Sequence, residues 1–562
     1  MKTLFSNGNV VNVFSEEIEN TNILIENGKI IGVGDYSNDS ADEIIDLNGK
    51  YVCPGLIDGH IHIESTMLLP SELAKISLAH GTTTIIADPH EIANACGKDG
   101  IDFMIEASKN IPFDVFFMLP SCVPATPFDE SFTNLTADEL TGFYASPKVL
   151  GLAEMMNYVG VVNGDQEIFN KIDDAKYFSK LINGHAPLLS GKSLDKYISA
   201  GIKDDHECSN INEALEKLKK GMHIMIRQGT SAKNLSALIS LFKRPYSSRC
   251  MLVTDDKHPA DLLNNGHIDS IIRQSVALGA DVISAIKMAT INPAEYFHLD
   301  GYGAIAPSYN ADLVVFDNLE NFNVLDVYKN GEKVVENGKT LPFSAQPIKK
   351  FLYERTKRSF NLSSLTESDF FVSPKSNNVR IIKAIKNELL TEEIIKPLDF
   401  SKSNGIDLDN DIIKIAVFER HNGTGHRAVC YITGLTIKEG AIATSVSHDS
   451  HNLIIAGANE SDMALAGNTV INAGGGLAVV KNGKVLSLMP LPIAGLMSEL
   501  SAKEVAKQNQ DLRDSVSMLG IEQGIEPFMT TAFISLAVIP HLKITTHGLI
   551  DVDKQELVDL FV

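Results

Sequence analysis

Between residues 52 and 298 the chain changes character again and again, and this regularity restricts its fold more than any other feature. Eight short apolar runs stand at 52–58 (VCPGLID), 83–88 (TTIIAD), 114–120 (DVFFMLP), 149–155 (VLGLAEM), 181–184 (LING), 202–205 (IKDD), 223–228 (HIMIRQ) and 251–256 (MLVTDD). Segments of helical composition separate most of them, such as SELAKISLAH at 71–80 and INEALEKLKK at 211–220. Strand and helix in alternation, eight times over this length, predict an α/β architecture built on a (β/α)8 TIM-type barrel. The competing architecture is a doubly wound open sheet. No Gly-rich dinucleotide fingerprint follows the first strand, which weighs against it.

The flanks differ from the centre. Residues 1–51 read as short strands broken by turns, with Asn27-Gly28 and Asn48-Gly49 between β-rich runs. Residues 299–345 repeat that style, in ADLVVFD (311–317) and VYKNGEKVVENGK (327–339). The expectation is one β-sandwich split in sequence by the barrel (52–298). A basic polar bridge at 349–365 then leads to a C-terminal α/β domain over 350–562. With 562 residues, several cores rather than one are expected. The formal net charge of −22 disfavours nucleic acid and anionic membrane as partners. No apolar run reaches the roughly 18 residues that span a bilayer. The six cysteines are scattered, with no CxxC pair, so reduced thiols and a cytoplasmic location are expected.

Polar residues gather where strands end. Strand one closes in His60 and His62, which point to one side because side chains alternate along a strand. Strand four carries Glu154, strand five leads into His185, strand six ends at His206, and strand eight ends in Asp255 and Asp256. A single buried histidine is more often a structural hydrogen-bonding residue, but a full set at successive strand ends is a ligand constellation. Imidazoles and carboxylates suit zinc, manganese or iron(II). There are enough of them for two ions, with Glu154 as the bridge. The chemistry implied is hydrolytic, because a bound ion brings water to a pKa near about 7. Asp255 is the candidate proton carrier. Asp256 is the candidate for orienting substrate or the hydroxide.

The stretch VCPGLIDGHIHIES (52–65) resembles the strand-one motif of the amidohydrolase superfamily. ATINPAEYFHLDGYGAIAPSYNADLVVFD (289–317) is similar to that superfamily's exit from barrel to sandwich. Within it, the chain resembles the bacterial-type adenine deaminases. That resemblance rests on HIHIESTML (60–68), GTTTIIADPHEIAN (81–94), GLAEMMN (151–157), GHAPLLSG (184–191), DDHE (204–207) and LVTDDKHP (252–259). It continues through SHDSHNLIIAGAN (447–459) and NAGGGLAVV (472–480), so it covers nearly the whole chain. The resemblance implies a first metal on His60, His62 and Asp255, a second on His185 and His206, and Glu154 shared by both. No lysine stands at 154, so no carbamate bridge is implied. Manganese or iron(II) is implied, with zinc admissible.

The reaction implied is attack of metal hydroxide on adenine, giving hypoxanthine and ammonia, with Asp255 shuttling the proton. Glu64 is the candidate acid for the ring nitrogen, with His90 and Glu91 as further candidates. Exposed loop carboxylates are the structural alternative for these. Arg227 is expected to contact the base or support the metal shell, against a plain surface salt bridge. His448, Asp449 and His451 lie in a polar cluster that either leans over the barrel mouth or caps a solvated loop. Among other readings, an amino-sugar deacetylase also places a glutamate on strand four, but residues 350–562 argue against it. A dihydroorotase or hydantoinase needs the missing lysine. A non-catalytic scaffold would have lost its ligands. A homodimer is expected.

Overall fold

The computed structural model describes residues 1–230, 232–386 and 388–562. Its centre is a barrel of eight parallel strands. The first five are Leu56–Ile61, Thr82–Ala87, Asp114–Leu119, Val149–Met155 and Leu181–Gly184, paired in sequence order. The last three, Asp204–Asp205, His223–Arg227 and Cys250–Val253, form a second run in the same sense. Two seams close the ring. At one, Lys203 N donates to Ile182 O at 3.1 Å. At the other, Asp255 N donates to His60 O at 3.0 Å. The barrel interior is filled by Ile57, Ile86, Met118, Ala153, Met225 and Met251, all buried. It is therefore a packed core, and the reactive end lies above it.

The apolar run that the sequence assigns to one strand at 52–58 serves two sheets. Tyr51–Pro54 pairs with Lys2–Asn12 and with Leu313–Phe316 in the flanking sheet. The barrel strand starts only at Leu56. Pro54 has no N–H to continue a ladder. A Cβ at Gly55 would stand 2.3 Å from Thr83 Oγ1, so only glycine lets the chain cross so closely. The flanking segments combine into a single nine-stranded sheet that runs from Lys339–Thr340 to Lys29–Gly34. It curls on itself, because Phe5 meets Tyr328 edge-on at 4.8 Å and Ile30 N donates to Tyr309 O at 2.9 Å. Asn27 and Gly28 both have positive φ, 50° and 80°, as a tight right-twisted hairpin requires.

The bridge at 349–365 is more ordered than its composition suggests. Lys350–Lys357 is a helix. It lies on the barrel helix His90–Ala107, with Leu352 and Thr356 buried and Arg355 paired to Asp99 at 2.9 Å. Beyond it stands an eight-stranded sheet from Thr391–Pro397 to Lys484–Pro490, covered by the helix Glu460–Asn472. A three-stranded sheet, Leu542–Thr545, Gly548–Asp551 and Glu556–Val558, follows. One continuous hydrophobic cluster runs from the barrel into this C-terminal part. The docking is polar as well: Ser498 N donates to Met67 O at 2.9 Å and Asn452 Nδ2 to Glu130 O at 2.8 Å. No helix among the described residues is long and apolar enough to cross a membrane.

Candidate active site

Strand one ends at Ile61, with His60 inside it and His62 just past its end, and the two rings stand edge-to-face at 4.8 Å. Their Nε2 atoms lie 3.2 and 3.1 Å from Asp255 Oδ1. Asp255 follows strand eight with φ at 59°, a left-handed conformation that a residue with a Cβ adopts at some cost. That turn aims the carboxylate across the seam. Asp58 supports the same seam, because its Oδ1 accepts from Thr254 N at 3.1 Å. His62 Nδ1 lies 3.2 Å from Asp88 O, which leaves Nε2 for the site.

Glu154 stands between two groups of imidazoles. Its Oε1 is 3.4 Å from His62 Nε2, and its Oε2 is 2.7 Å from His185 Nδ1 and 3.0 Å from His206 Nε2. His60, His62, Glu154, His206 and Asp255 are buried. The donor atoms of His60, His62 and Asp255 fall within 4.8 Å of one another, as do those of His60, Glu154 and His206. His60 Nε2 is buried without a hydrogen-bond partner. An orphaned imidazole nitrogen amid carboxylate oxygens fits a divalent cation.

The electrostatics agree. Burial opposes charge on Asp255, yet Arg227 and the imidazoles of His60 and His62 hold its carboxyl well below the usual range. Glu154 is likewise held low by His206 and His185 against burial. His206 is burdened by burial too, but Glu154 raises it to about 9. Ligands of a metal ion must give up their protons, so a cation bound among these groups would displace a proton from His206.

A second ring holds the first. Arg227 Nη1 donates to Asp255 Oδ2 at 2.9 Å and also to Glu207. Arg227 thus braces the site rather than making a surface pair. Glu207, 3.4 Å from His206 Nε2, is a site residue that sequence reasoning passed over. The signal was present, since it is the last residue of the DDHE stretch. Asp205 accepts from Ala186 N at 2.8 Å and pairs with the buried Lys217 at 2.9 Å, which positions the loop carrying His185.

The C-terminal segment enters the site. His448 Nδ1 lies 2.6 Å from Glu91 Oε1, and His451 Nε2 hydrogen-bonds the other oxygen of Glu91. His448 stacks on Phe533, with ring centroids 4.5 Å apart. Asp449 lies 4.0 Å from His90 Nε2, and burial pushes its carboxyl up to about 6. Its Oδ2 is buried without a partner. His90 Nδ1 sits between Asp88 at 3.0 Å and Glu154 at 3.3 Å.

A cavity of about 600 Å3 lies over these groups. Its floor is His62, Glu154, His185 and Asp255, and its roof includes Leu389, Phe533, Leu536 and Ile539. Asp256 lines it too, and accepts from Ser65 Oγ. Glu64 does not line it. Its Oε1 accepts from Ile92 N at 3.1 Å at the start of a helix, and burial pushes its carboxyl up to about 7.

A model of the amidohydrolase family matches residues 51–340, and one of the adenine deaminase C-terminal domain matches 388–556. An adenine deaminase of Kosmotoga olearia is 44% identical, over 100% of this chain and 96% of its own. One from Desulfatibacillum aliphaticivorans is also 44% identical, over 99% and 97%. One from Clostridium acetobutylicum is 43% identical, over 98% and 96%. A solved enamidase is 19% identical, with a TM-score of 0.47 over 62% of this chain and 99% of that one. By identity over its whole length, the chain belongs to the amidohydrolase family and, within it, to the adenine deaminases.

Proposed function

We propose that this chain is a metal-dependent hydrolase that converts adenine to hypoxanthine and ammonia. The observation that carries the reading is the Glu154-centred cluster of buried imidazoles and carboxylates, closed over by the C-terminal domain. His60, His62 and Asp255 would hold one divalent ion and His185 and His206 another, with Glu154 shared. Manganese or iron(II) is the proposed metal. A divalent ion bound there supplies water that is activated at neutral pH.

The chain's own residues do the rest. Asp255, braced at Oδ2 by Arg227, takes the proton of the attacking water and passes it to the departing amine. The C6–oxygen bond forms first, as the C6–N1 electron pair moves onto the ring nitrogen and takes a proton there; the C6–amine bond then breaks, and the amine leaves with the proton from Asp255 as ammonia. Asp449 is the acid that meets the purine ring nitrogen, because its Oδ2 is unpartnered, its carboxyl is raised to about 6, and it lines the cavity. Glu64 supports this indirectly, by fixing the helix that carries Glu91. His448 and Glu91 join roof to floor and exclude water. A homodimer in the cytoplasm is the proposed setting.

The test is ammonia release from adenine by enzyme reconstituted with manganese or iron(II), beside adenosine and N-acetylglucosamine 6-phosphate. Turnover of adenine alone is expected. Turnover of the amino sugar, with adenine left intact, would overturn the substrate and return the site to a deacetylase.

A further inference from the structure

A second cluster of ligand-type side chains lies outside the cavity. Glu130 belongs to the loop after barrel strand three, which ends at Leu119. His426 precedes the strand Arg427–Thr433 of the C-terminal sheet. His547 sits in the turn between Leu542–Thr545 and Gly548–Asp551. Hundreds of residues separate Glu130 from the two histidines, yet their ligand atoms lie within 4.8 Å of one another. His426 Nδ1 is 2.7 Å from Glu130 Oε1, and His547 Nε2 is 3.9 Å from Glu130 Oε2. The two rings stand 5.4 Å apart.

The donor set limits what this cluster can do. Among the described residues, no lysine or arginine lies within 4.0 Å of the Glu130 carboxylate. The two imidazole side chains are 54% and 35% exposed, so as ion pairs they add little stability. Two imidazoles and a carboxylate that converge at a solvent-facing point are instead the ligand set of a zinc-class ion, with a fourth position left to water. The backbone around the cluster is already fastened. Asn452 Nδ2 donates to Glu130 O at 2.8 Å, and Asn422 Nδ2 donates to Ser131 O at 3.2 Å. Thr546 Oγ1 hydrogen-bonds Glu130 Oε2.

We propose that Glu130, His426 and His547 bind one zinc-class ion that clamps the barrel loop to the C-terminal domain, apart from the catalytic centre. Nitrogen-rich sites take zinc, nickel or copper far more strongly than manganese. The clamp is therefore selective for zinc over manganese.

The test uses the whole enzyme with its catalytic sites already loaded with zinc. It is dialysed against free zinc at about 10 μM, a level that fills a site of micromolar affinity. Bound zinc is counted for the wild type, for the H426A/H547A double variant and for E130Q. The wild type is expected to hold one more zinc per chain than either variant. Its melting temperature is expected to rise with added zinc while theirs stays put. Equal zinc contents in all three proteins would overturn the proposal, as would an equal zinc-dependent rise in melting temperature. E130Q keeps both exposed histidines, so it decides the matter if the double variant fails to fold. Adenine turnover is expected to be the same in all three, because none of these side chains lines the cavity.

Discussion

Asp255 concentrates several demands in one side chain. Its left-handed backbone turns the carboxylate over the barrel mouth, Arg227 takes one oxygen, and two imidazoles face the other. Asparagine has nearly the same shape but takes up no proton. Asp255→Asn is expected to lower kcat by about 10²–10⁴-fold, the usual worth of a positioned proton carrier. Its circular dichroism is expected to match the wild type. An active Asp255→Asn enzyme would move the proton carrier elsewhere. At this scale the sequence spoke unevenly. His60 and His62 were legible because a strand alternates, so two residues apart means one face. Glu207 stands in the DDHE stretch, but that it turns inward is decided by Arg227, which reaches it from another strand. Glu64 shares strand parity with His62, but the strand stops at Ile61 and Glu64 falls in a helical turn, so parity no longer applies.

Among the elements, the helix Lys350–Lys357 tests how the two halves are joined. It packs on the barrel helix His90–Ala107 and buries Leu352 to 2% exposure. Truncating a buried leucine costs about 2–5 kcal/mol through lost burial and the cavity left behind. Leu352→Ala is expected to lose about 2–3 kcal/mol in urea unfolding, at the low end because the helix lies at a surface. Adenine turnover per folded molecule should hold. A stability loss within experimental error would mean that the helix is not part of the joint. The sequence reads this stretch as a polar bridge because its charges hide a one-sided apolar stripe of only two turns. The apolar run at 51–57 is misread for the opposite reason. It is apolar throughout, so pattern alone does not mark where one sheet hands over to another. Pro54 and Gly55 are the only cue.

Across the whole molecule, the roof of the cavity is held by a buried cation. Lys543 Nζ donates to Leu389 O at 2.9 Å and to Phe533 O at 3.3 Å, and both residues line the cavity. No carboxylate lies within 4.0 Å of it among the described residues, and burial pushes its pKa down to about 7 from 10.5. A lysine depressed in the fold binds its proton more tightly when unfolded. Stability from this group therefore rises as pH climbs from about 7 toward 10.5, and its penalty is full below 7. The wild type is expected to gain melting temperature between pH 7 and pH 9 relative to Lys543→Met, which lacks the titration. Parallel melting curves for the two proteins over that range would rule out a buried, proton-releasing Lys543.

The order of strands and helices, the carboxyl-end placement of His60, His62, Glu154, His185, His206 and Asp255, and the extra C-terminal domain were all written in the sequence. Each depends on periodicity or on a local motif, which neighbouring residues carry between them. The tertiary structure alone decided that Glu91 meets His448 and His451 across more than 350 residues, that Arg227 braces Asp255, and that Phe533 closes the cavity. Those contacts join segments far apart along the chain. They exist only after two domains pack, and no local pattern of residues encodes the meeting.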